Sequence, residues 1–213
     1  TAGNANLRPA TATEWEAGFD WGGFDGVLAL ELTYFDKQTR NDLIARPLAP
    51  SLGNAGVVFD NIGRMRNRGF EALLRTNFVQ RQNFAFALDL NVATLRNTLE
   101  ELGEGIQPFF LGASQRFVEG FPAAGYWERP VLGASDLNGD GIISRVNCPT
   151  VGGVSNPQVA GGPACEVVLD TALRFMGNIL PRTELSILPR LTLFRYVNIV
   201  ANLNHRAGYS QFN

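Results

Sequence analysis

The residues of this 213-residue chain best spaced for chemistry are Asp136-Leu137-Asn138-Gly139-Asp140-Gly141. Oxygen-bearing side chains recur at alternate positions, Asp136, Asn138 and Asp140, and Gly141 lets the backbone turn sharply enough to fold them inward. Ile142 would add its backbone carbonyl. A donor set made only of oxygen suits Ca²⁺ rather than zinc, which prefers nitrogen and sulfur. The last position of such a loop is Asn147, where a strong site carries a bidentate carboxylate. The expected affinity is therefore weak, on the order of 10⁻⁴–10⁻³ M. A polar turn without an ion is the competing reading.

The other reactive side chains point to less. Cys148 and Cys165, the only cysteines, bracket a Gly/Pro-rich stretch. They would pair in an oxidising compartment and stay as thiols in the cytosol, so the compartment decides. His205 stands alone, with no cysteine or carboxylate at ligand spacing, and reads as an ordinary strand residue. Glu14, Glu16, Asp20, Glu31, Glu71 and Asp89 alternate along strands as a polar wall, and nothing singles out an acid–base pair. Gly161-Gly162 lacks the strand and helix of a phosphate loop. No catalytic or cofactor-binding constellation emerges, so the chain is not expected to be an enzyme. A net charge of −2 with no run of basic residues excludes a nucleic-acid partner.

The elements that carry these residues are organised around Thr13–Asp36. Trp15, Ala17, Phe19 and Trp21 fall on one face of a first limb, and Glu14, Glu16, Gly18 and Asp20 on the other. Gly22-Gly23-Phe24-Asp25-Gly26 supplies a turn. Leu28, Leu30, Leu32 and Tyr34 then oppose Ala29, Glu31 and Thr33. This alternation predicts a hairpin of two-faced strands. A third strand is predicted near 68–78, and a fourth places Phe84, Phe86, Leu88, Leu90 and Val92 on one side. The fifth runs near 182–193, with an edge or bulge at Pro189, and the sixth over 197–208. Between them, 37–61 reads as loop with a short strand at 57–59, and 94–178 as a long loop region rich in Gly and Pro.

Alternation does not say which face meets water. In a secreted β-sandwich the apolar face would meet a second sheet; in an outer-membrane barrel it would meet lipid. The connections discriminate. Short turns (22–26, 79–83, 194–196) alternate with long excursions (37–61, 94–178), as short periplasmic turns and long external loops do in barrels. Aromatic residues gather at two levels, Trp21, Phe24, Phe78 and Phe84 at the short-turn end and Trp15, Tyr34 and Phe35 at the other, like two interfacial girdles. The absence of an apolar run of about 18 residues excludes a membrane-spanning helix but not spanning strands.

Five stretches in order resemble the TonB-dependent outer-membrane receptors, specifically SusC/RagA-like nutrient importers. They are Asn6-Leu7-Arg8-Pro9 with Thr13–Asp20, Tyr34–Asn41, Asn61-Ile62-Gly63 with Asn67–Glu71, Glu119-Gly120-Phe121-Pro122, and Asp136–Gly141. The resemblance implies an all-β chain: about six antiparallel transmembrane strands, with long external loops, from a barrel of about 22 strands. It implies residence in the outer membrane of a Gram-negative-type bacterium, contact with its lipid, and import of a nutrient such as an oligosaccharide or peptide. Partners would be TonB, through a region upstream with the plug domain, and a surface lipoprotein. Residues 1–213 are then expected to be part of a longer receptor, without plug or closing strands, and 94–178 its external loop region. In that compartment a Cys148–Cys165 disulfide is expected. The alternative is a secreted, Ca²⁺-stabilised β-sandwich that binds glycan.

Overall fold

The computed structural model describes residues 4–48, 56–137, 139–143, 150–151, 154–155 and 166–211. The described residues form strands and turns without a helix, and so no helix is long and apolar enough to cross a membrane. The chain divides into two units, Thr1–Gly125 with Gly177–Asn213, and Tyr126–Met176.

The first unit is dominated by one antiparallel sheet. Its strands are β1 (Thr11–Gly23), β2 (Leu28–Pro47), β3 (Val57–Arg81), β4 (Phe84–Thr94) and β5 (Arg96–Glu101). Short β6 (Phe109–Phe110) and β7 (Gln115–Phe117) follow. The second unit holds β8 (Gly125–Glu128), β9 (Val131–Ala134), β10 (Thr150–Val151), β11 (Val154–Ser155), β12 (Val167–Leu169) and β13 (Arg174–Gly177). The wall then resumes with β14 (Thr183–Leu193), β15 (Val197–Val200) and β16 (Leu203–Ala207).

The order in the sheet is β1-β2-β3-β4-β14-β15, with β5 also on β3 and β16 also on β14. Two pairs are single strand lines with one interruption. β4 and β5 follow one another along β3, apart only by Leu95. β15 and β16 follow one another along β14, apart by Ala201 and Asn202. The wall therefore has six positions, as the sequence predicts. The second interruption lies opposite Pro189. Its register with β4 is continuous, so Pro189 makes no bulge, and β14 is not an edge. Its carbonyl accepts the Ala201 N–H at 3.2 Å, but a proline has no N–H to return, and the ladder lapses there. The wall's register shifts fall instead on the ladders of β3, between Asn77 and Val79 against β4 and between Arg64 and Met65 against β5.

The sequence assigns 37–61 to a loop, and the structure corrects this. β2 and β3 remain paired from Leu28–Thr76 to Pro47–Val57, so the connection shrinks to the residues between them. The reason is polarity. Beyond Tyr34 and Phe70 the residues Asp36, Lys37, Gln38, Arg40, Arg64, Arg66 and Arg68 put charge on both faces. A strand with water on both sides has no alternation for a sequence reading to find. The turn at 22–26 also shifts: Gly22 and Gly23 stay in β1, and Phe24 (φ 55°), Asp25 (φ 52°) and Gly26 (φ 83°) adopt the left-handed region.

The register stacks the apolar faces into one band. Trp21, Leu30 and Leu74 lie in one row, as do Phe19, Leu32 and Ala72. Leu74 continues to Leu90 and Ile187, and Ala72 to Val92 and Leu185. Nothing covers this band among the described residues: Trp15 is 77% exposed, Phe70 53% and Leu203 57%. The buried apolar residues of this unit lie elsewhere, Leu99, Leu102 and Phe117 packing with Ile44, Ile106 and Phe109. A sandwich would bury the band under a second sheet. Leu90→Arg should therefore destabilise the intact protein in a bilayer by roughly 2–4 kcal/mol, and Asn91→Arg, on the opposite face, by less than about 1 kcal/mol. Urea titration of bilayer-folded protein measures both, and equal costs would contradict the assignment of faces.

Candidate functional site

Two polar arrangements stand out, one on the wall and one in the second unit. On the wall, the face opposite the apolar band carries the carboxylates noted in the sequence. Lys37 pairs with Glu14 at 3.0 Å, Arg75 with Glu31 at 2.9 Å, Arg190 with Asp89 at 2.9 Å and Arg206 with Glu184 at 3.3 Å. Each joins neighbouring strands. Exposed pairs of this kind contribute about 0–1 kcal/mol each, so they set polarity more than stability. Glu16, Asp20 and Glu71 share this face, which is ionic along its length. His205 pairs with Leu185 across β14–β16 and sits on the apolar face, away from any ligand set.

Past the Tyr34–Phe70 ring pair (centroids 5.0 Å apart) the outward face changes from apolar to ionic. Asp36 accepts from Arg66 at 2.8 and 2.5 Å, and Glu100 accepts from Gln38 at 3.2 Å and forms an ion pair with Arg64 at 2.9 Å. Arg64 also pairs with Glu101. Sequence reading leaves Gln38 in the 37–61 loop, Arg64 and Arg66 ahead of the third predicted strand, and Glu100 and Glu101 in the 94–178 loop region, so it does not bring them together.

In the second unit the predicted calcium loop is built by a ladder. β12 pairs antiparallel with β9, Val167 opposite Ala134, and the Ser135 N–H donates to the Glu166 carbonyl at 2.9 Å. That register carries Glu166 to the loop. Asp136, Asp140 and Glu166 bring carboxylate oxygens within 4.8 Å of one another. Asp136 accepts the N–H groups of Gly139 (2.7 Å) and Gly141 (2.8 Å), Asp140 that of Ile142 (2.8 Å), and buried Glu166 that of Leu137 (3.1 Å). Gly139 (φ 74°) and Gly141 (φ 79°) supply the left-handed backbone this turn requires. Ile142 is 67% exposed. Asn138, Asn147, Cys148 and Cys165 lie outside the described residues, as do Gly161 and Gly162.

Glu166 is the residue that sequence spacing missed. It stands 26 positions beyond Asp140, outside any loop motif, and only the β9–β12 register reveals it. It adds the carboxylate whose absence at Asn147 argued for weak binding. Three like charges this close repel unless a cation or N–H donors intervene, and the backbone donors include, besides those above, the Asp140 N–H to Asp136 at 3.2 Å. Nearby, Asp170 is held below the usual carboxylate range by the Ala172 N–H and by Arg174.

Comparison with known proteins bears on the wall. Residues 1–139 match the family described as TonB dependent receptor-like, beta-barrel. TonB-dependent receptor P3 of Formosa agariphila is 28% identical over 116 residues, covering 54% of this chain and 12% of that protein. TonB-dependent receptor P26 of the same organism is 26% identical over 178 residues, covering 70% and 18%. The RagAB peptide transporter superposes with a TM-score of 0.74 at 17% identity, over 98% of this chain and 22% of that one. The RagAB peptide importer in its open-open state gives 0.69 at 18% identity, with the same coverage. The chain thus spans less than a quarter of the length of each relative, and the structural likeness, at this identity, is one of fold.

Calcium held by Asp136, Asp140 and Glu166 should protect the 136–166 segment from protease at about 1 mM Ca²⁺. Asp140→Ala and Glu166→Gln should each remove that protection while leaving the wall folded. Equal cleavage of the wild-type segment in calcium and in chelator would leave only a polar turn.

Proposed function

The chain belongs to the TonB-dependent receptor-like β-barrel family, and we propose that it builds part of the wall of a transporter importing a nutrient such as an oligosaccharide or peptide. Its family resides in the outer membrane, and so does this protein. The observation that carries the reading is the two-sidedness of the wall. An uncovered apolar band meets lipid on one face, and cross-strand ion pairs present a hydrated surface to the lumen on the other. The energy for import comes from TonB, contacted through a region outside these residues. A surface lipoprotein that delivers cargo is the second partner, as the resemblance of Asn6–Gly141 to the SusC/RagA-like importers implies.

In this reading Ca²⁺ at Asp136, Asp140, the Ile142 carbonyl and Glu166 is structural: its charge balances the carboxylates and fixes the loop. Asn138 completes the set. Cys148 and Cys165 form a disulfide that closes the connection leading back to Glu166. Peptide mapping of thiol-blocked membranes without reductant should recover them linked; both cysteines alkylated would exclude the bridge.

Import itself is tested in cells expressing the intact receptor, with labelled oligosaccharides and peptides offered separately. Uptake of one class should depend on both the receptor and TonB. Uptake of both classes unchanged by deletion of the receptor would overturn the proposal.

A further inference from the structure

We infer that Arg68, Arg96 and Arg182 form a binding site for the phosphate headgroup of a membrane lipid, at the end of the wall remote from the tight turns. The three line one groove, together with Tyr34 and Phe70. Arg68 lies on β3, Arg96 opens β5, and Arg182 immediately precedes β14. The Leu95 N–H donates to the Arg182 carbonyl at 2.9 Å, which fixes the third arginine's backbone beside the strand carrying the second.

The protein balances the charges in the groove only in part: Arg68 acts on Asp36 through space but forms no ion pair with it. No ion pair among the described residues includes Arg68, Arg96 or Arg182. Arg68 and Arg96 face each other across the β3–β5 ladder, a like-charge pairing that is unfavourable unless an anion joins it. Arg68 also stands opposite Asp36, but that carboxylate is already engaged by Arg66. Glu100 is likewise held by Arg64 and Gln38. Guanidinium groups match phosphate oxygens in two-pronged geometry, which makes phosphate the fitting anion.

Position selects a lipid over a soluble anion. The groove begins where the apolar band ends: Tyr34 and Phe70 form its floor, and Leu32, Ala72 and Val92 form the next row towards the turns. Aromatic residues at this level mark the edge of the hydrocarbon layer. A headgroup phosphate in the groove would keep its acyl chains against that band, and a free anion would use the charges alone. Basic pockets at this depth are a recognised physical route to headgroup binding. The inference rests on the lipid-facing reading of the band and is independent of the cargo.

The test uses the intact receptor in phosphatidylcholine nanodiscs containing about one phosphatidic acid in ten lipids, with retained phosphatidic acid counted by native mass spectrometry. The wild type should retain it. Each Arg→Gln change should weaken retention about fivefold, and all three together on the order of a hundredfold. Arg81→Gln, at the tight-turn end, should change nothing. Should the triple variant not insert, Arg182→Gln, outside the strands, reads the same loss alone. Wild-type protein that fails to insert would overturn the lipid-facing reading as well. Insertion without retention, unaltered retention in the variants, or release by an equal concentration of inorganic phosphate would overturn the headgroup site only.

Discussion

The pairing of backbone N–H and C=O groups along one antiparallel ladder is the constraint on which the rest of this structure depends. The wall strands expose an apolar face, so they gain little from a buried core of their own. Their order comes from the ladder, which fixes every side chain to one face or the other, since a slip of one residue would exchange the two. Close approach enforces the register locally. A Cβ on Gly69 would lie 1.8 Å from the Thr94 carbonyl oxygen and 2.9 Å from the Phe35 ring, so only glycine fits where β4 gives way to β5. In hydrocarbon an unpaired backbone group costs several kcal/mol, and the outer edges of β1 and of β15–β16 would need further strands to satisfy them there.

How much of this was legible in the sequence follows from where polarity alternates. Phe84 to Val92 declares a strand because one face meets an apolar medium and the other water, and the structure returns it as β4. The extension of β2 from Lys37 to Pro47 declares nothing, although it keeps its register with β3 across a lapse at Asn41 (φ 56°). Its first residues, Lys37 to Asp42, are all polar and its apolar residues Leu43-Ile44-Ala45 run together rather than alternate, so only the partner strand shows that it is extended. Pro189 was legible as a disturbance but not as to its kind. The ring leaves the register with β4 intact and interrupts the other neighbour, because the lost N–H points to that side.

The carboxylate loop divides in the same way. Asp136, Asp140 and Gly141 are close in sequence, so spacing alone finds them. Glu166 reaches them through a β-ladder closed over a long Gly/Pro-rich connection, and no spacing rule describes that path. Its burial makes it the most constrained of the three, since a buried carboxylate must be matched by donors or a cation, whereas exposed Asp136 and Asp140 can be solvated by water. The local motif supplies the oxygens, and tertiary pairing supplies the charge that determines how strongly they could hold a cation.

The same distinction orders the arginines. Arg75 and Arg190 sit on the face opposite the apolar band, each beside a carboxylate of an adjacent strand, and with Glu16, Asp20 and Glu71 that face carries more acids than bases. On the outward face the balance changes at the aromatic level. Below it charge is absent, as a hydrocarbon medium demands; above it arginines outnumber the carboxylates that could pair with them. One strand thus meets three media along its length and across its width, and each leaves its own composition on the face it touches. The apolar band, the ionic face opposite it and the cationic rim are separate responses to solvent, laid on a single backbone ladder.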